Sequence, residues 1–138
     1  LPAPENITVE VEHGGDPMLE VDRDQIIQVV TNLISNAYGA MPEGGKLSIR
    51  TDGNENSMVI RVTDSGAGIP KENINKIFEP FFSTKQIGKG TGLGLAVTYG
   101  IVKMHYGDIR VVSNADPASG PTGATFTVTL PRREKKEA

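Results

Sequence analysis

The chain contains no cysteine. That excludes disulfides, thiolate metal sites and a cysteine nucleophile, and it suits a reducing compartment. Nor is there a basic excess: 14 Lys and Arg stand against 17 Asp and Glu, for a formal charge of -3. The electrostatic footprint of a nucleic-acid binder is therefore missing, and the basic residues of Arg132 to Glu137 alternate with acids instead of forming a patch. No apolar run approaches the length of a membrane span, and no signal peptide is visible. The expected location is the cytoplasm, without direct membrane contact by this domain, and membrane attachment of a parent protein is left open. The chain begins at Leu1 instead of methionine and reads as a fragment of something longer. What is present, 138 residues with 37% hydrophobic and 22% charged, suffices for one globular domain with a single core.

Ile7 to Glu12 alternates like a strand, and Gly14-Gly15-Asp16-Pro17 breaks it. Asp22 is placed to cap a helix in which Ile26, Val30, Leu33, Ala37 and Met41 recur at three- and four-residue spacing, until Pro42-Glu43-Gly44-Gly45 ends the pattern. Lys46 to Thr51 and Met58 to Thr63 form a hairpin through the turn-rich Asp52 to Asn56. A short helix is expected around Lys71 to Ile77, a longer one over Thr91 to Met104, and strands over Asp108 to Ser113 and Ala124 to Leu130. The order β-α-β-β-α-β-β predicts an α/β two-layer sandwich with a mixed, mostly antiparallel sheet and helices on one face. Residues 1–131 form the domain, and 132–138 a charged, solvated tail.

Gly88-Lys89-Gly90-Thr91-Gly92-Leu93-Gly94-Leu95 runs directly into the second long helix. Alternate glycines let a ligand approach the main chain, and the helix offers unpaired amides and the positive end of its dipole, so an anionic ligand such as a phosphate is the first hypothesis. On the first helix, Gln28, Asn32 and Asn36 fall at i, i+4 and i+8 beside the apolar face. That stripe either caps and hydrogen-bonds locally or lines a pocket, where a carboxamide oxygen suits Mg²⁺ already bound to phosphates. Asp64-Ser65-Gly66-Ala67-Gly68-Ile69-Pro70 follows an apolar strand. It is a turn at least, and an aspartate buried there needs a donor, which an adenine amino group would supply and guanine would not. Phe78, Phe81 and Phe82 are explained by core packing or a hinge. Lys85, a flexible cation beside the glycine ladder, can reach terminal phosphate oxygens, with Lys89 a weaker second candidate.

These segments, Asn32 to Ala37, Asp64 to Pro70, Phe78 to Phe82 and Gly90 to Leu95, occur in an order that closely resembles the catalytic, ATP-binding domain of sensor histidine kinases. They match its N, G1, F and G2 boxes, within the wider family shared with DNA gyrase, Hsp90 and MutL, whose Bergerat-type fold is the sandwich expected above. Gly123-Ala124-Thr125-Phe126 resembles the family's closing strand, and Ile101 to Asp108 its helix-to-strand passage. The resemblance implies ATP and Mg²⁺ as ligands, with Asn36 on the metal, Asn32 supporting it and acting with Lys85 in catalysis, and Asp64 on the adenine amino group with Thr125 nearby. Gly66 and Gly68 would shape the base site, while Gly88, Gly90, Gly92 and Gly94 with the amides of Leu93 and Leu95 hold phosphates. Ala40, Ile69, Phe82, Thr84 and Thr91 complete the implied nucleotide site. The short lid from Ser83 to Lys89 is similar to that of nitrogen-regulation-type sensor kinases, where the lysine approaches the γ-phosphate. Gly39 stands where many members carry a polar or basic residue, which leaves more to Lys85.

Gyrase-like relatives place a glutamate one turn before the metal-binding asparagine, as a general base toward water. Asn32 occupies that position, and a carboxamide does not accept a proton at neutral pH, so slow hydrolysis and transfer to an outside nucleophile are expected. Neither His13 nor His105 is followed by the acidic residue usual after the phosphoacceptor. The acceptor is expected on an upstream dimerisation domain of the parent protein, with a response regulator receiver domain as the next partner. A serine protein kinase of the anti-sigma-factor type and a non-catalytic adenine-nucleotide-binding regulatory module remain as alternatives. A dinucleotide-binding oxidoreductase does not, because the glycine spacing is wrong and no strand leads into it.

Overall fold

In a computed structural model, the described residues are 4–15, 23–79 and 94–131. Strand β1 (Ile7–Gly15) leads to helix α1 (Arg23–Gly39), then to β2 (Gly45–Gly53) and β3 (Ser57–Asp64). Helix α2 (Gly94–Met104), β4 (Asp108–Asn114) and β5 (Gly123–Pro131) follow. The expected order of elements is therefore observed. Asp22, the glycine ladder up to Leu93 and the tail 132–138 lie outside the described residues.

The five strands form one sheet in the order β1-β2-β3-β5-β4. Only β1 and β2 are parallel; the other neighbours are antiparallel. Period-2 alternation decides which face is covered. Met58, Ile60, Val62 and Asp64 of β3 and Ala124, Phe126, Val128 and Leu130 of β5 are buried, and their register partners line up across the sheet. Val29, Leu33 and Ala37 of α1 and Ile101 and Val102 of α2 close over that face into one core, and full burial of each larger side chain contributes about 1.5–3 kcal/mol. Phe78 packs edge-on to Phe126 at 6.4 Å between ring centroids and lies 5.4 Å from the Tyr99 ring, as core packing requires. The opposite face is polar, carrying exposed ion pairs from Lys46 to Glu10 and from Arg50 to Glu12 and Asp52.

Element ends depart slightly from expectation. Helix α1 stops at Gly39, two residues before Met41, yet Met41 remains only 2% exposed because its side chain packs beside Gly45 and Ser65, at the start of β2 and just past β3. Burial kept the apolar spacing after the helix had ended. Around Lys71 to Ile77 there is a single 3₁₀ turn, Lys71–Asn73, instead of a short α-helix. The hairpin turn is fixed by Asn54, whose side-chain oxygen accepts from the amides of Asn56 and Ser57.

Candidate functional site

Asp64 ends β3 on the helix-covered face and is 6% exposed. Its Oδ1 accepts from the Gly66 amide at 2.8 Å and the Ala124 amide at 3.3 Å. No described group donates to Oδ2. Burial pushes the carboxyl above its ordinary value, against the opposing pull of those two amides. A buried carboxylate oxygen with no donor among the described residues can take one from a ligand, and an exocyclic amino group fits.

The following loop is pressed against its neighbours. A Cβ on Gly66 would lie 2.2 Å from the Ala40 carbonyl oxygen, and the Ala67 amide donates to that same oxygen at 3.3 Å. Ala40 thus seats the loop on the end of α1. Ile69 is partly buried against the core, and its amide donates to Ser113 Oγ at 2.6 Å.

On α1, Asn36 is half-buried and makes no side-chain hydrogen bond to another described residue, which leaves its carboxamide available as an oxygen ligand. Asn32 is used differently. Its Nδ2 donates to the Gly94 carbonyl at 3.2 Å and to Thr98 Oγ1 at 3.3 Å, while Thr98 Oγ1 donates to the same carbonyl at 2.9 Å. The bonds of Asn32 therefore tie α1 to the start of α2 and do not reach Asn36. Leu95 lies one residue further along α2, partly buried against the core. A Cβ on Gly94 would meet nothing within 4 Å, so no close approach of described protein atoms explains that glycine.

Thr125 departs from the expected base pocket. Asp64 pairs across the sheet with Ala124, so Thr125 falls on the opposite face, where its Oγ1 is 3.1 Å from Thr63 Oγ1. A shift of one residue along a strand reverses the face. The residue that reaches Asp64 is Ala124, through its amide; counting the β3–β5 register would have found it, whereas composition could not. The contribution of Ser113 left no local signal either. Phe82, Thr84, Lys85, Gly88, Gly90, Thr91, Gly92 and Leu93 lie outside the described residues.

The two histidines have local partners. His13 Nδ1 is 2.7 Å from Thr51 Oγ1 in an exposed pair between β1 and β2, and His105 Nδ1 is 2.9 Å from the Ile101 carbonyl oxygen one turn back in α2. His105 accordingly packs at the helix end.

The raised pKa of Asp64 has a testable sign. In the unfolded chain the group ionises near 3.8, and in the folded domain it ionises higher. The folded state thus holds its proton longer, so stability is lost as pH rises between the two values and is unaffected below both. Urea midpoints of wild type and Asp64→Asn, followed from about pH 3 to about pH 7, should diverge in favour of the variant through that window and then run parallel. A gap that closes with rising pH would contradict the assignment.

Residues 21–134 match the family described as histidine kinase-, DNA gyrase B-, and HSP90-like ATPase. Sensor kinase CckA of Brucella abortus is 40% identical over 150 residues, covering 96% of this chain and 15% of its own length. Sensor histidine kinase WalK of Bacillus subtilis is 43% identical over 129 residues, covering 88% of this chain and 20% of its own. The chain thus spans a fifth or less of these relatives. The nucleotide-free catalytic domain of histidine kinase ThkA superposes with a TM-score of 0.78 at 35% identity, over 92% of this chain and 81% of that one. ThkA in complex with response regulator protein TrrA superposes at 0.74 with 32% identity, over 95% of this chain and 36% of that one. This chain belongs to the histidine kinase-, DNA gyrase B- and HSP90-like ATPase family, and its fold is that of the catalytic, ATP-binding domain of sensor histidine kinases.

Proposed function

We propose that this domain binds Mg-ATP and presents its γ-phosphoryl group to a histidine on a dimerisation domain of the parent protein, from which a response regulator receives it. The buried Asp64 carboxylate, with Oδ1 satisfied by two amides and Oδ2 left for a ligand, carries the reading. Adenine offers an amino donor there, and guanine offers a carbonyl that would face the carboxylate. Asn36 would hold Mg²⁺, which when bound neutralises charge on the triphosphate. Lys85, in the segment similar to a nitrogen-regulation-type lid, would approach the γ-phosphate and stabilise charge developing there.

In the transfer, the acceptor imidazole nitrogen bonds to the γ-phosphorus, the bond to the β–γ bridging oxygen breaks, ADP leaves and the imidazole gives up its proton. Asn32 does not compete by activating water, since its amide group is turned to Gly94 and Thr98 and has no basic nitrogen. Two features support this reading over the protein-serine kinase and the non-catalytic module: the kinase relatives and the ThkA complex with a response regulator. Among the described residues no helix is long and apolar enough to cross a membrane, and a cytoplasmic position of this domain is part of the proposal.

Calorimetric titration with ATP, ADP and GTP, each with and without Mg²⁺, tests it together with an assay for released phosphate. Adenine-selective binding with little hydrolysis is expected, and Asn36→Ala should remove the Mg²⁺-dependent gain in affinity, about tenfold or more. Rapid hydrolysis, or a Mg²⁺ gain that survives Asn36→Ala, would count against it.

A further inference from the structure

The loop carrying Asp64 is not held by its own residues alone. The β4–β5 hairpin grips it at four points, through the ends of both strands and the turn between them. The Ala124 amide donates to Asp64 Oδ1 at 3.3 Å, Thr122 Oγ1 donates to the Gly66 carbonyl at 2.7 Å, and Ser113 Oγ accepts from the Ile69 amide at 2.6 Å. At the fourth, Gly68 approaches the Asn114 carbonyl so closely that a Cβ would lie 2.1 Å from its oxygen. Ser113 Oγ also donates to the Gly123 carbonyl at 3.0 Å, so one hydroxyl bridges the loop and the residue preceding Ala124.

The gripping turn is itself braced. Asn114 Nδ2 donates to the carbonyls of Asp116, Gly120 and Pro121, its Oδ1 accepts from the Asp116 amide, and the Asp116 carboxylate accepts from the Ala118 amide and the Ser119 hydroxyl. Such a connected network moves as a unit. Both amides that fix Oδ1 therefore sit on backbone held by a side-chain hydroxyl: Gly66 by Thr122, and Ala124 through Gly123 by Ser113. A carboxylate turns about its own bond unless one oxygen is pinned, and recognition through the other oxygen depends on that pinning.

We propose that Ser113 and Thr122 are positioning residues for base recognition, their hydroxyls locking the Asp64 loop to the β4–β5 turn so that Oδ2 of Asp64 is aimed at the adenine amino group and discriminates it from guanine. The inference rests on the adenine reading of Asp64. Without the two hydroxyls the loop must be ordered at the moment of binding, and the cost falls on the purine that needs the aimed oxygen.

The test measures dissociation constants for Mg-ATP and Mg-GTP together with thermal midpoints, for wild type, Asp64→Asn, Ser113→Ala, Thr122→Val and the Ser113→Ala/Thr122→Val pair. The pair should raise the ATP constant about tenfold, each lost bond being worth a few-fold, and lower the ATP-over-GTP preference by a similar factor. Ser113→Thr and Thr122→Ser, which keep the hydroxyls, should restore the preference. If the pair does not fold, either single variant carries the same comparison, and amide exchange at Ile69 should quicken in Ser113→Ala. An unchanged preference in folded variants, with or without a lower midpoint, would overturn the inference. Were wild type itself to show no adenine preference, the adenine reading would fail and the inference with it. A preference abolished by Asp64→Asn but intact in the hydroxyl variants would defeat the inference alone.

Discussion

Asp64→Asn should weaken ATP binding about 100-fold while leaving the domain folded and GTP binding no weaker. Asparagine keeps an oxygen to accept from the Gly66 and Ala124 amides, which now hold Oδ1 at 2.8 and 3.3 Å. Its Nδ2 must then stand where Oδ2 stood and turn hydrogens toward adenine's amino group. A charge-assisted hydrogen bond is exchanged for two opposed donors, a difference of about 3 kcal/mol. Guanine's carbonyl is the better partner for that nitrogen, so the ATP-over-GTP preference should shrink by more than ATP affinity alone accounts for. Stability should not suffer, since the substitution removes a buried carboxyl whose ionised form is disfavoured by burial. Asp64→Ala behaves differently, because it orphans both amides and should lower stability and binding together. Equal losses for ATP and GTP in Asp64→Asn would show that the carboxylate does not face the base.

Much of this architecture could be read along the chain, because its signals are local. The apolar spacing of Ile26, Val30, Leu33 and Ala37 gave α1, and strict alternation through β3 and β5 gave the covered face of the sheet. Asp64 was visible as an acid closing an apolar strand, and Asn36 as a polar residue beside an apolar stripe. What required the structure was long-range. The parallel pairing of β1 with β2, and the insertion of β5 between β3 and β4, depend on which edges meet once α1 crosses over the sheet. The same holds for Thr125. The resemblance implied a place near the base, yet the β3–β5 register turns it to Thr63 and gives Asp64 the amide of Ala124. Ser113 and Thr122 reach the loop across 44 and 56 residues. No property of a serine or threonine in isolation announces such a role. Asn32 was read as supporting the metal beside Asn36; that its amide nitrogen also fastens the two helices together could be seen only across 62 and 66 residues.

Gly68→Ala and Gly100→Ala should act in opposite directions, although both add one methyl group to a glycine. Gly68 has φ of +81°, and a Cβ there would lie 2.1 Å from the Asn114 carbonyl oxygen and 3.0 Å from Ala115 Cα. The left-handed conformation costs alanine about 1–2 kcal/mol. The clash is with backbone of a turn braced by Asn114 and Asp116, so it is relieved only by displacing the Asp64 loop. A total loss of about 3 kcal/mol is expected, or roughly 10 °C in thermal midpoint. ATP affinity should fall with it, because Gly66 and Ile69 share the displaced loop. Gly100 lies within α2, and a Cβ there would meet nothing within 4 Å. Alanine restricts the unfolded chain and suits the helix, so Gly100→Ala should stabilise by about 0.5–1 kcal/mol without changing the ATP constant. Thermal midpoints and ATP titrations of the two variants decide the matter: a wild-type midpoint for Gly68→Ala would mean that the loop does not pack on the β4–β5 turn, and its link to base recognition would be lost.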